Sequence, residues 1–477
     1  MFQRLTKWFQ AEEFPDTRAP WRIFWVAFAV RVLYMTIAHT YRIRPYEDHF
    51  QFGWEAGRIA RALATGYGYA DPFSDAVIRH TGPTAWLPPL YPLLLAGVFK
   101  IFGVYTATSA WVAFAINSAL SGATAMLVWE LAARSFSRRC ALWSAWIYAL
   151  HPAAMQYAVR WAWEMTLTTF LFTMLLVLAL RMRNIGDPTP PRARNQLANW
   201  CLFGLLWGLI ALSNSSLLLF LPFSALWILW GTWRRQHIVR DVVLASLICL
   251  ACVAPWTIRN YTVFHKLIPM RGNLGVEMYL GNGPGSNGWL MAYDHPGLAP
   301  EQIRQYATLG EVQYSAIRGA LAEANIRRDR AHYWAITGKR IYFFWASVPH
   351  PDDHNWSIEA GRVLNFGSIS LSGLMGLALA LYHRKPGAVL YAWAFLLLPI
   401  PYYLVTVHAR FRHPLEPLIC CLGVYLFQSA ERHKTRSQPV VVSNPGLQQG
   451  QQASGVRAAV RFGGSLGVFL SFSPKGE

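Results

Sequence analysis

The 477-residue sequence predicts an all-α integral membrane protein of about ten transmembrane helices, with interfacial helices in its extracytoplasmic loops. Three observations predict this. Charged residues make up 14% and hydrophobic residues 54% of the chain. A soluble domain carries about 25% charged residues, so this chain has too few to coat a water-exposed body of its size. Apolar stretches near the length of about 20 residues that crosses a bilayer recur along the sequence. The basic residues fall in short runs between those stretches. The same composition excludes a disordered chain and a disulfide scaffold, because hydrophobicity is high and only 6 residues are Cys. The 22 Trp and 21 Tyr suit membrane interfaces.

The net charge of +19 would suggest nucleic acid on a soluble protein. Here it reads as loops facing an anionic leaflet, with no nucleic-acid partner. The N-terminal residues 1–22 are mixed in charge and lack the apolar core and small-residue site of a cleaved signal. The first span covers 21–40. Further spans follow near 107–133, 140–158, 163–181, 198–213, 215–231, 241–256, 363–382, 388–406 and 414–429. Cys249 and Cys252 form a CxxC inside one of these, which reads as packing rather than zinc or redox chemistry.

Residues 88–103 (PPLYPLLLAGVFKIFG) are apolar but short, and charge decides their place. If they do not cross, the clusters at Arg134/Arg138/Arg139, Arg181/Arg183/Arg192/Arg194, Arg234/Arg235/Arg240, His383/Arg384/Lys385 and Arg432/Lys434/Arg436 all share the side of the N-terminus. That is the distribution the positive-inside rule demands. The stretch therefore reads as a helix lying at the outer interface. The chain then consists of a multi-pass domain, 1–430, and a cytoplasmic, disordered tail, 431–477, rich in Gln, Ser and Gly. Two segments face outward, 40–106 and 257–362. In the second, 271–288 reads as a Gly-rich loop and about 301–345 as helix.

Chemistry on the outer face needs polar residues just outside the spans. Glu47 and Asp48 follow the first span, and Glu55 opens a short amphipathic helix over 54–64. A carboxylate there can take a proton from an attacking hydroxyl or simply suit a helix start. Glu164 lies four residues after Arg160, a spacing that allows an ion pair or the rim of a site. Arg259, Arg271, Arg410 and Arg412 stand outside, near span ends. Outer arginines run against the positive-inside bias, so they either snorkel to headgroups or hold a phosphate there. Arg31 sits midway along the first span and needs a partner inside the membrane. No P-loop, HExxH or GxSxG is present.

The pieces YEDHFQFGWEAGRIARALATGYGY, TGPTAWLPPLYPLLLAGVFKIFG, APWTIRNYTVF, RGNLGVEMYLGNGPGSNG and RFRHPLEP, in that order, resemble the GT-C glycosyltransferases. More closely they resemble bacterial members of glycosyltransferase family 39, relatives of protein O-mannosyltransferase and lipid A aminoarabinose transferase. The resemblance covers about 21–430. It implies a polyprenyl-phosphate monosaccharide donor, an inverting single displacement on the extracytoplasmic face, and a first-loop carboxylate as base. Carried over, the base is Asp48 or Glu55, with Glu47 and Glu164 as further acids. The lipid phosphate falls to Arg259, Arg410 and Arg412, assisted by Arg160 or Arg271. Where relatives carry a charged FEKP-like stretch, this chain has TAWLPP, which offers Trp86 to stack on a sugar. A divalent metal, the sugar and the acceptor (protein, lipid or glycan) stay open. Two rival readings are a ligase or polymerase of lipid-linked glycans and a transporter or flippase, the latter disfavoured by the absence of a two-fold repeat.

Overall fold

A computed structural model describes residues 18–43, 52–74, 77–186, 193–289, 294–348 and 356–436. Glu47 and Asp48 lie outside the described residues, as does the tail beyond 436. The chain divides into two units, 1–431 and 432–477, and the following concerns the first. Among the described residues the secondary structure is helical, apart from one antiparallel bridge between Ala70 and Pro83. Among the described residues, six helical stretches are long and apolar enough to cross a membrane, and three shorter apolar ones accompany them. The chain is a multi-pass membrane protein.

Helix α1 (Ala19–Ile37) buries Ile23, Ala27, Arg31 and Met35, a four-residue repeat along one face. That face packs on α4 (Ala107–Ser135), whose first turn is capped by Thr106 accepting from the Ser109 N–H. Arg31 finds its intramembrane partners in carbonyls: Nη1 donates to Ala27 at 3.0 Å and to Ala149 at 2.7 Å. The apolar stretch 140–158 is not one helix. α5 (Arg138–Leu150) ends at His151, and α6 (Pro152–Val159) begins with a proline that has no N–H to continue the ladder. The central span is α7 (Met165–Met182), buried along most of its length. It is followed by α8 (Ala193–Ala211), a 3₁₀ turn (Ser215–Phe220) capped by Asn214, α9 (Leu221–Thr232) and α10 (Ile238–Phe264).

The segment read from sequence as the first outer one holds α2 (Glu55–Ala64) and α3 (Leu90–Phe102), the latter being the stretch read as interfacial. α2 packs along α3 through Phe52, which sits 5.2 Å from Phe99. The segment after α10, read from sequence as the second outer one, contains α11 (Leu274–Asn282), α12 (Pro300–Leu309), α13 (Glu311–Arg328) and α14 (Arg330–Ala346). The chain then returns through α15 (Trp356–Tyr382), α16 (Ala388–Leu397), α17 (Ile400–Leu404), a 3₁₀ turn (Ala409–Leu415) and α18 (Glu416–Arg436).

The α11 helix corrects the reading of 271–288 as loop throughout. Its glycines serve close packing rather than turns. A Cβ on Gly275 would stand 2.0 Å from the Ser315 carbonyl oxygen on α13, and one on Gly281 would stand 1.9 Å from the Val405 carbonyl oxygen. Gly275→Ala should therefore force α11 off α13, at a cost of about 1–3 kcal/mol. Thermal unfolding in detergent reads this, and an unchanged melting temperature would contradict the packing role.

Candidate functional site

A cavity of about 410 Å³ opens where the segment carrying α2 and α3 meets the start of α7, the turn after α10, α11 and the turn after α17. Glu55, Glu164, Trp86, Arg271 and Arg410 all line it. A smaller chamber of about 90 Å³ adjoins it, and the two share Glu55, Trp163, Glu277, Arg410 and Phe411.

Local backbone chemistry places Glu55. Gly53 adopts φ +77°, and a Cβ there would lie 2.4 Å from the Ala162 carbonyl oxygen, so only glycine lets the two segments meet. Trp54 follows with φ 50°, and α2 begins at Glu55. His295 is buried beside this turn, stacked on Trp54 at 5.6 Å and meeting Phe73 and Trp86 edge-on. The Gly297 N–H donates to His295 Nδ1 at 3.0 Å. In the neutral ring the hydrogen is therefore on Nε2, 3.4 Å from Glu55 Oε1.

Burial acts to raise the Glu55 pKa, but the hydrogen bond and charge of His295, a backbone hydrogen bond and the charge of Arg410 together carry it below the usual carboxylate value. Glu55 is thus ionised at neutral pH and stays so into acid. Removing His295 leaves burial less opposed, so His295→Ala should move the acidic limb of the pH–rate profile upward. An unmoved limb would contradict the coupling. His408 lines the smaller chamber and accepts from the Arg410 N–H through Nδ1 at 3.3 Å. Burial, then the neighbouring Arg410, push its pKa down to about 3, so it is neutral under working conditions.

The two cavity arginines differ. Arg410 lies 4.3 Å above the Trp163 ring, and its buried Nε has no hydrogen-bond partner among the described residues. Arg271 donates from Nε to the Trp86 carbonyl at 3.2 Å and lies 3.8 Å from Glu277, which also accepts from Asn273 Nδ2 at 3.0 Å. The chain reaches Arg271 by folding back over the end of α10, where Trp256 Nε1 donates to the Met270 carbonyl and Asn260 Nδ2 to the Ile268 carbonyl.

The other arginines named from sequence do not line either chamber. Arg259 donates to the carbonyls of Thr84 (2.6 Å) and Tyr69 (2.7 Å), tying the stretch between α2 and α3 to α10. Arg412 is buried against Glu416 at 2.7 Å and donates to the Phe366 carbonyl and Ser370 hydroxyl of α15. Arg160 is exposed, its guanidinium 5.5 Å from the Trp161 ring, so the i, i+4 pair with Glu164 is not formed: Glu164 instead faces the cavity. Trp86 is only 1% exposed and is packed edge-on by Phe73 and Tyr306.

Sequence reasoning missed His295, Glu277, Trp163 and Glu311. Glu311 is buried and accepts from the Thr84 hydroxyl, the Ala85 N–H (2.9 Å) and the Tyr306 hydroxyl (2.8 Å), which fixes the TAW segment beneath the cavity. Burial raises its pKa despite these donors. The Asn273–Glu277 spacing and the HPG turn at His295–Gly297 were available signals. Among the described residues no group of three or more His, Cys, Asp or Glu is placed to hold a metal ion.

Residues 87–258 match a family model described as dolichyl-phosphate-mannose-protein mannosyltransferase. The matched stretch is under half of the chain, and what it shows is a similarity in sequence to that family. No curated protein sequence matches the chain. Solved structures similar to it include the apo oligosaccharyltransferase of Archaeoglobus fulgidus (TM-score 0.49, 14% identity, 88% of this chain and 52% of that one). The Archaeoglobus fulgidus oligosaccharyltransferase AglB in complex with an inhibitory peptide and a dolichol-phosphate is also similar (0.45, 15%, 89% and 52%). ArnT from Cupriavidus metallidurans bound to undecaprenyl phosphate is a third (0.35, 14%, 88% and 81%). The chain spans about half the length of the archaeal proteins.

Proposed function

We propose that this protein moves a monosaccharide from a polyprenyl-phosphate donor to an acceptor hydroxyl, with inversion, on the extracytoplasmic face. The observation that carries the reading is one cavity shared by an ionised, half-buried carboxylate, Glu55, and a guanidinium, Arg410, whose buried Nε has no partner among the described residues. Glu55 takes the acceptor's proton. The acceptor oxygen then bonds to the anomeric carbon as the bond from that carbon to the phosphate oxygen breaks. The electron pair leaves with the polyprenyl phosphate, and Arg410 and Arg271 meet its charge. Preorganised cations in a water-poor cleft stabilise such a leaving group strongly.

Topology supports the outer face. Arg134 and Arg181 both pair with Glu130, and Arg235 donates to the Met182 carbonyl, so basic loops gather at the far end of α7. Glu164 and the cavity lie at its near end, 18 residues away. A helix of that length spans roughly 27 Å, and the positive-inside rule assigns the basic end to the cytoplasm. The AglB and ArnT structures bind dolichol-phosphate and undecaprenyl phosphate respectively, the kind of headgroup proposed here. The test is transfer of labelled sugar from a polyprenyl-phosphate donor by the full-length protein in vesicles. No transfer across a panel of such donors, with transfer from pyrophosphate-linked oligosaccharide instead, would favour the ligase reading.

A further inference from the structure

The outer helices α13 and α14 leave an apolar face uncovered, and its pattern states what covers it. On α13, Ala316, Ile317, Ala320, Leu321 and Ala324 are exposed, spaced three and four apart on one side, opposite the buried Glu311, Tyr314, Ser315, Arg318 and Ala322. On α14, Trp334 (62% exposed), Ile341 and Tyr342 (55%) form a second stripe with Ala335 and Gly338, opposite the buried Ile336, Thr337, Arg340 and Phe344. A water-facing helix carries polar residues on its outer side, and both of these invert that rule.

Where the two helices join at Asp329, the corner bears Arg327, Arg328 and Arg330, with Lys339 further along α14. Glu323 and Asp329 offset only part of this positive charge. Apolar stripes with Trp and Tyr, edged by Arg and Lys, are the composition of a helix lying in a headgroup layer. Continuity with the membrane supports the same occupant. α14 packs on the spanning helix α15 and on α17, its Trp345 carbonyl accepts from the Ser370 hydroxyl, and Trp345 stacks on Phe395 at 5.6 Å. A second copy of the chain would not call for arginines at the edge of the patch, whereas lipid phosphates do.

We infer that the α13–α14 face rests in the extracytoplasmic leaflet, with Trp334 and Tyr342 in the headgroup layer and Arg327, Arg328 and Arg330 bound to anionic lipid phosphates. This inference does not depend on the transfer reaction. It is tested with p-benzoylphenylalanine at position 334 or 342 of the full-length protein, reconstituted in vesicles of phosphatidylethanolamine and phosphatidylglycerol. After irradiation, mass spectrometry should find lipid adducts at both positions. Arg327→Gln, Arg328→Gln and Arg330→Gln together should lower the phosphatidylglycerol share of those adducts roughly severalfold, while circular dichroism and melting stay as in the parent. Adducts to a second copy of the chain, or no lipid adduct at either position, would overturn the inference. An unchanged phosphatidylglycerol share would overturn its anionic-lipid part.

Discussion

Glu55→Gln will lower sugar transfer by roughly 10²–10⁴-fold, the range in which a positioned general base contributes. The amide keeps the side chain's size and its ability to accept from His295, but it cannot take a proton. Donor affinity should change little, because the carboxylate acts on the acceptor. The loss should therefore fall on kcat, and near-normal kcat would remove Glu55 from the proposed role. Asp48→Asn is the companion variant, since both carboxylates follow from the sequence and Asp48 lies outside the described residues. If Asp48→Asn alone abolishes transfer, the base is Asp48 and the Glu55–His295 pair is a structural contact.

Arg410→Ala will cost as much by a different route. The guanidinium sits over Trp163 with a buried nitrogen unpartnered among the described residues, and its charge also acts on Glu55. Losing a preorganised donor to a leaving group costs roughly 10²–10³-fold in kcat, and here donor binding should weaken with it. Lysine should not restore the wild-type rate, because a point charge replaces a planar fork that can both stack and bind phosphate. Arg271→Ala should be milder, since Arg271 is partly committed to the Trp86 carbonyl and to Glu277. Equal losses at Arg410 and at Arg412, which lies buried against Glu416, would argue that both variants simply disturb the turn after α17.

Much of the helical content was legible because apolar length and basic-cluster spacing are one-dimensional signals. The first span, the 88–103 helix and the 54–64 helix all reappear, within a few residues, as α1, α3 and α2. The break at His151–Pro152 was less visible, because hydropathy runs straight through a residue that the backbone cannot. The 274–282 helix was hidden by glycines that normally mark loops and here permit backbone contact. Outer arginines are conspicuous in a sequence, yet their partners are not. Arg259 satisfies carbonyls 175 and 190 residues away and Arg412 a carboxylate one helical turn away, whereas Arg410 is left facing the cavity. His295 reaches Glu55 across 240 residues, a distance no local pattern encodes.

The most direct measurement is the affinity of the full-length protein in nanodiscs for a polyprenyl phosphate, set against the same polyprenol without its phosphate. The wild-type protein should prefer the phosphate by roughly tenfold or more, and Arg410→Ala should erase most of that preference. Equal binding of the two lipids by the wild type, or a preference untouched by Arg410→Ala, would contradict the proposed phosphate site.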